Sequence, residues 1–214
     1  MAQNSFYEEV IIAGFGGQGI ILAGRLLAQT AMKAGKEVTF MPSYGAEMRG
    51  GTANSMVIIA DCAIASPLVT RPDSAIVMNK ASLNKFAPRI KNNGLLVMNS
   101  SLIDPAAFRN SIGQQTSGND TGVVLRKQEA GDVDESIDIL AVPADNIAVE
   151  LGSQKSANMV AIGAYLQRRG LFGPDAAAES LPDVLAKRYH KTLSVNTEAL
   201  RIGAEFAKKA KTKK

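Results

Sequence analysis

Residues 9–19 read Glu9-Val10-Ile11-Ile12-Ala13-Gly14-Phe15-Gly16-Gly17-Gln18-Gly19, and an apolar-rich segment, Ile20 to Ala34, comes directly after them. A short apolar run that ends in glycines and passes straight into a helical pattern is a buried strand, a tight turn and a helix start. The first turn of a helix leaves backbone N–H groups without intrahelical partners, at the positive end of the helix dipole. Glycine lets the chain turn sharply and lets a ligand approach the backbone without a Cβ in the way. The segment is suited to an anionic group such as a phosphate or pyrophosphate.

Gly14, Gly16 and Gly19 satisfy the spacing G-x-G-x-x-G, with Gly17 as an extra glycine. A second candidate strand, Glu37 to Pro42, completes a Rossmann-like βαβ unit of about 30 residues. The alternative reading is that the glycines serve only close packing of helix on strand. A nicotinamide site has a specific failing here, because it wants Asp or Glu at the end of the second strand to hold a ribose. That strand instead ends Thr39-Phe40-Met41-Pro42-Ser43. A phosphate site without the ribose acid points to a ligand other than NAD, or to a site shared with another chain.

The 214 residues are 46% hydrophobic and 21% charged, enough for one well-buried core. No apolar run reaches membrane-spanning length, and Met1-Ala2-Gln3-Asn4-Ser5 has neither a basic nor an apolar leader region. The expected location is therefore cytoplasmic. Of the +4 net charge, five lysines lie in the last seven residues; without them 19 basic residues face 20 acidic ones, a net of −1. A body so near neutrality argues against nucleic acid as a partner, and residues 208–214 read as a solvated basic tail. The single cysteine, Cys62, lies in an apolar-rich segment and is expected as a small buried core residue. Alone it forms no internal disulfide and cannot hold an iron–sulfur cluster, which needs about four thiolates. The only histidine, His190, stands among basic residues and is expected at the surface near a helix end, so a His-based metal site or triad is not expected.

Further strands are expected at Ser55 to Ala60, Ser74 to Asn79, Leu95 to Asn99 and Ile137 to Val142. Helices are expected at Ala81 to Lys91, Ala144 to Leu151, Ala157 to Arg169, about Asp175 to Lys191 and Thr197 to Lys209. This alternation predicts an α/β three-layer sandwich with a largely parallel or mixed sheet. One domain over residues 1–207 is the economical division, with the polar stretch 110–136 as a surface insertion. In the first helix, Leu22, Ala23, Gly24, Leu26, Leu27 and Ala31 form the packing face, while Arg25, Gln29 and Lys33 recur every fourth residue and should face water.

The loop after the second strand reads Pro42-Ser43-Tyr44-Gly45-Ala46-Glu47-Met48-Arg49-Gly50-Gly51-Thr52-Ala53-Asn54. Loops leaving the C-terminal ends of strands gather at one edge of an α/β sheet, where ligands bind. If the first two strands are parallel neighbours, this loop and the glycine turn share that edge. Arg49 could then make a two-toothed contact to a phosphate or carboxylate, oriented by Glu47. The other reading is a solvated Glu47–Arg49 ion pair on an ordinary loop.

Together, Gly14-Phe-Gly-Gly-Gln-Gly19 and Pro42-Ser-Tyr-Gly-Ala-Glu-Met-Arg-Gly-Gly-Thr-Ala-Asn54 resemble the gamma subunit of the 2-oxoacid:ferredoxin oxidoreductases. Asn158-Met-Val-Ala-Ile-Gly163 and Asn196-Thr-Glu-Ala-Leu-Arg-Ile-Gly203 resemble that family as well. The Ser-Tyr-Gly-Ala-Glu-Met-Arg-Gly-Gly form is similar to the 2-oxoglutarate branch, whereas pyruvate-type relatives tend to a Phe-Gly-Pro-Glu-Arg-Arg-Gly-like sequence there.

The resemblance implies oxidative decarboxylation of a 2-oxoacid on thiamine diphosphate, electron transfer through iron–sulfur clusters to ferredoxin, and acyl transfer to coenzyme A. The nearest approach to a thiamine motif, Gly131-Asp132-Val133, lacks its second glycine and lies in the polar stretch. Thiamine diphosphate, Mg²⁺ and the clusters are therefore expected in partner subunits, with ferredoxin an indirect partner. This chain is expected to be inactive alone and to carry no catalytic residue and no metal. The carry-over implies that Gly14, Gly16, Gly17, Gln18 and Gly19 contact coenzyme A at a subunit boundary, with Ser43, Tyr44, Glu47 and Arg49 as the opposite wall. Asn158 is either the N-cap of its helix or a further polar contact to the same ligand. A free-standing nucleotide-binding protein, a purely structural subunit, pyruvate or branched-chain specificity and self-association of the isolated chain all stay open.

Overall fold

The structure, a computed structural model, describes residues 6–44, 52–108 and 136–210. Six strands form one sheet: β1 (Tyr7–Phe15), β2 (Glu37–Tyr44), β3 (Thr52–Ala60), β4 (Ser74–Val77), β5 (Leu95–Asn99) and β6 (Asp138–Val142). The helices are α1 (Ile20–Lys33), α2 (Lys80–Phe86), α3 (Ala144–Glu150), α4 (Ala157–Arg169), α5 (Pro174–Val184) and α6 (Leu193–Lys209). The strand order is β2-β3-β1-β4-β5-β6. Strands β1, β4, β5 and β6 are parallel, and β3 runs antiparallel to both β1 and β2. The sheet is thus mixed, and its βαβ unit is split, because β3 occupies the place beside β1 that the local pattern assigns to β2.

Period-two alternation divides the core. Val10, Ile12, Val57, Ile59, Ile76, Leu95 and Val97 face α1, α4, α5 and α6; Ile11, Ala13, Ile58, Ala75, Val77 and Leu96 pack with Leu83 and Phe86 of α2. On α1, Ala23, Leu26, Leu27 and Ala31 are buried, Leu22 and Gln29 half-buried, and Arg25 and Lys33 exposed. Helices α4 and α6 cross closely at two glycines. A Cβ on Gly163 would strike the Leu200 carbonyl, and one on Gly203 the Val160 carbonyl. The two later motifs that carry the family resemblance thus meet in one helix crossing.

Strand β5 and helix α4 have the expected bounds. Helix α2 gives way at Ala87–Arg89 to a 3-10 turn containing Pro88, and α5 carries Pro182 in its last turn and becomes extended at Leu185. Cys62 is exposed, against the expectation of a core residue. The apolar run that suggests burial ends with β3 at Ala60, and Cys62 lies just beyond it. His190 lies in the 3-10 turn Lys187–Thr192, half-buried, with Nε2 3.1 Å from the Leu185 carbonyl. Among the described residues, no helix is long and apolar enough to cross a membrane. Glu47 and Arg49, the 110–136 stretch except Ser136, and residues 211–214 of the tail lie outside the described residues.

Candidate functional site

The antiparallel register sets Gly14, Ala53 and Tyr44 in one row across β1, β3 and β2. The C-terminal ends of β1 and β2 therefore reach the same edge although β3 lies between them. Ser43 and Tyr44 sit there exposed, Tyr44 at 70%. The glycine turn and the end of β2 are brought to one edge as expected, by a hairpin rather than by direct pairing.

The turn is held in place from several sides. Gly19 stands at the head of α1 with φ +69°, and Gly17 has φ +99°, both in the left-handed region that side-chain-bearing residues disfavour. No side chain caps α1 and no acid lies in its first turn, so its leading amides remain suited to an anion. Gly14 is buried, and a Cβ there would meet the Gln18 and Ile20 side chains. Its role is packing. Gly16 and Gly17 are exposed.

Gln18 stitches the turn to the neighbouring strand end. Its Oε1 accepts from the Phe15 amide at 2.7 Å and from Asn79 Nδ2 at 3.2 Å, and its Nε2 donates to the Met78 carbonyl at 3.2 Å. Asn79, 3% exposed, also caps α2 by accepting from the Ser82 amide at 2.8 Å. One strand further on, Asn99, 1% exposed, accepts from the Ala144 amide at 3.2 Å and donates to Asp145 Oδ2. Buried amides thus finish β4 and β5, one anchoring the start of α2 and the other the start of α3.

Asn158 is neither exposed nor the N-cap of α4, a place taken by Ser156. It is 3% exposed, and its Nδ2 donates to the Gly19 carbonyl at 3.0 Å. A Cβ on Gly19 would collide with that side chain. Asn158 therefore ties the start of α4 to the glycine turn.

Between these two walls lies a cavity of ≈ 220 Å³. The turn contributes Gly17 and Gln18, β4 runs into Met78, α3 supplies Asp145, and the approach to α4 supplies Gln154, Lys155 and Ala157. Asp145 is half-buried; Gln154 and Lys155 are exposed. Reading the sequence missed Asn79, Asn99, Asp145, Gln154 and Lys155. The two asparagines carried a usable signal, since each ends a buried strand just before a turn or helix; the other three did not. Among the described residues no group of three or more His, Cys, Asp or Glu could hold a metal ion. With a single cysteine in the whole chain, the donor set does not fit an iron–sulfur cluster.

A family model described as pyruvate ferredoxin/flavodoxin oxidoreductase matches residues 9–206. The subunit VorA of ketoisovalerate oxidoreductase from Methanothermobacter marburgensis is 30% identical over 94% of this chain, which spans only 36% of that relative's length. The subunit KorC of 2-oxoglutarate synthase from Archaeoglobus fulgidus is 30% identical over 92% of this chain and 87% of its own. The solved gamma subunit of a keto/oxoacid ferredoxin oxidoreductase from Geobacter sulfurreducens superposes with a TM-score of 0.68 at 25% identity, covering 95% of this chain and 99% of that one. A 2-oxoglutarate:ferredoxin oxidoreductase from Magnetococcus marinus, solved with 2-oxoglutarate, coenzyme A and succinyl-CoA bound, shares the fold, with a TM-score of 0.73 at 24% identity over 97% of this chain and 32% of that one.

Proposed function

Since the chain belongs to the pyruvate ferredoxin/flavodoxin oxidoreductase family, we propose that it serves as the gamma subunit of a 2-oxoacid:ferredoxin oxidoreductase and contributes to binding coenzyme A at the edge formed by its glycine turn. The observation that carries the reading is the turn itself. Gly16 and Gly17 are exposed beside an uncapped helix start, Gly17 borders a cavity, and α4 is tied across to Gly19. The chain's own residues bind and position; decarboxylation and electron transfer belong to thiamine- and cluster-bearing partner subunits, a division supported by the single cysteine of this chain. The substrate favoured is 2-oxoglutarate. The loop Ser43-Tyr-Gly-Ala-Glu-Met-Arg-Gly-Gly and the KorC relatives, which match this chain over most of their own length, support it. A branched-chain 2-oxoacid is the second reading, supported by the VorA relatives.

Affinity capture of the chain from its native source tests both levels. The expected result is co-purification of thiamine- and iron–sulfur-bearing subunits, with dye reduction that depends on coenzyme A and is fastest with 2-oxoglutarate. Faster reduction with a branched-chain 2-oxoacid transfers the substrate to the second reading. Capture of the chain without such subunits would refute the assignment.

A further inference from the structure

One face of the sheet is left unfinished by this chain. Strand β2 is the outer strand of the sheet. On one side its Val38 and Phe40 pack into the core beneath α1. On the other side lie Thr39, Met41 and Ser43, by the alternation of a strand, and no residue of β2 joins the core around α2. Met41 is half-buried there, as is Met56 opposite it on β3. Two apolar side chains flank this pair in the open: Leu68, 61% exposed in the segment whose Val69 amide reaches Met56, and Phe15, 39% exposed at the end of β1.

Two buried polar atoms lie on the same face without a hydrogen bond from the described residues, Thr39 Oγ1 and Asn54 Oδ1. Asn54 is only 8% exposed. The register sets it between Ala13, whose side chain has nothing to donate, and the exposed Ser43. A buried acceptor without a donor has lost its water and gained nothing in return. Thr39, Met41, Ser43, Asn54 and Met56 carry no charge, so this face offers nothing to a phosphate or a nucleic acid. Apolar side chains set around a few hydrogen-bonding groups are the make-up of a protein interface. A source for the other side exists. The chain spans 36% of VorA and 32% of the Magnetococcus marinus chain, so in both relatives a domain of this kind shares its polypeptide with a larger remainder.

We propose that the α2-side face of β2 and β3 is where a partner subunit docks, the one corresponding to that remainder. It lays apolar side chains over Met41, Met56 and Leu68 and directs a hydrogen-bond donor at Asn54 Oδ1. This rests on the gamma-subunit reading and adds a place of contact to it.

Tagged variants of the full chain, each produced with the other subunits, test this through the amount of partner subunit retained per chain. Urea unfolding of each isolated chain reports whether it folds. Met41→Lys puts a charge into the contact and should cut retention at least about tenfold, while an outer strand tolerates the lysine and the urea midpoint holds. Asn54→Leu keeps the size of the side chain and removes its polar group. It should cut retention about tenfold, because the partner's donor loses its acceptor, yet leave the isolated chain as stable as before or more so. Met32→Lys, on the far side of the sheet at a site 58% exposed, should change neither quantity. Full retention by a folded Met41→Lys chain would overturn the proposal, as would an Asn54→Leu chain that loses stability and keeps its partners. If Met41→Lys splits a dimer of the isolated chain in light scattering and leaves retention alone, the face belongs to a second copy and the proposal falls. Hydrogen exchange needs no variant: β2 amides not bonded to β3 should exchange more slowly in the complex than in the isolated chain, and equal rates overturn the docking surface. Should the unaltered chain capture no such subunit, the gamma-subunit reading falls and the surface with it; should every variant keep its partners, the surface falls alone.

Discussion

At the N-terminal ends of β1 and β4, the sheet closes on charges; at the C-terminal ends of the same strands, it finishes in neutral amides. Glu8, 2% exposed, accepts from Ser74 Oγ at 2.6 Å, from Tyr165 Oη at 3.2 Å and from Arg169 through both Nε and a terminal nitrogen. Beside it, Lys91 bridges Glu9 at 2.7 Å and Asp73 at 3.0 Å. Every charge in that cluster has a partner. At the opposite end, Gln18, Asn79, Asn99 and Asn158 fix the backbone with dipoles rather than ions, and Asp145 keeps one oxygen free of described partners. A paired cluster has no demand left for a ligand to meet. An amide frame sets geometry, with the Asp145 carboxylate as a charged side chain joined to it.

The largest test of this contrast is Glu8→Ala. It strands the Arg169 guanidinium, half-buried beneath the sheet, together with the Tyr165 and Ser74 hydroxyls. Removing one member of a buried ion pair costs about 3–5 kcal/mol, and a loss near the lower figure is expected in urea unfolding, since Arg169 keeps some solvent contact. Coenzyme A affinity of whatever variant remains folded should be unchanged. A cost under about 1 kcal/mol would mean that the charged end does not carry stability in this way.

The same end predicts an alkaline limit. Burial raises the Tyr165 phenol well above its ordinary value of 10.0, and the neighbouring Glu8 charge adds to this. Burial pulls the Lys91 ammonium down, but its hydrogen bonds to Glu9 and Asp73 outweigh that, and the group ends above its ordinary 10.5. Both groups hold a proton in the folded chain after the unfolded chain has lost it. Their stabilisation is complete below the unfolded values and disappears as pH climbs through the folded ones. Urea midpoints should therefore fall as pH rises past about 10, and Tyr165→Phe should flatten part of that fall. An equal fall in the phenylalanine variant would remove Tyr165 from the account.

How much of each end was legible differs for a physical reason. The core strands showed themselves because their pattern is local: Leu95 to Asn99 and the alternating faces of β1 are set by neighbours one or two residues apart. The glycine turn was legible for the same reason. The place of β3 was not, since a strand that folds back between β1 and β2 is decided by cross-strand pairing, and nothing within one strand announces its neighbour. Asn158 stood out in the sequence, but its partner Gly19 lies 139 residues away, so its role as a tie between two walls had no local trace. Cys62 misled because apolar residues resume after Asp61, although the buried run itself ends with the strand at Ala60. Glu8 and Arg169, 161 residues apart, went unnoticed because each is ordinary until the fold brings them together.

The smallest expected effect probes the amide end directly. Gly17 has φ +99°, yet a Cβ built on it meets nothing within 4 Å. Gly17→Ala therefore faces a backbone penalty alone, about 1 kcal/mol, with no collision to add. Gly163→Ala, by contrast, drives a methyl into the Leu200 carbonyl and should cost more. If the glycine turn existed only for packing, Gly17→Ala would shift the unfolding midpoint slightly and leave ligand saturation of the complex alone. If the turn holds phosphate, the same small loss of stability comes with a second effect. The methyl enters the open space beside the exposed turn, where a phosphate is to approach the backbone, so coenzyme A binding should also weaken several-fold. Titrating wild-type and variant complexes with coenzyme A, alongside their urea curves, measures both quantities on the same samples. A variant that loses stability without losing affinity would assign the glycine turn to the structural side of the comparison.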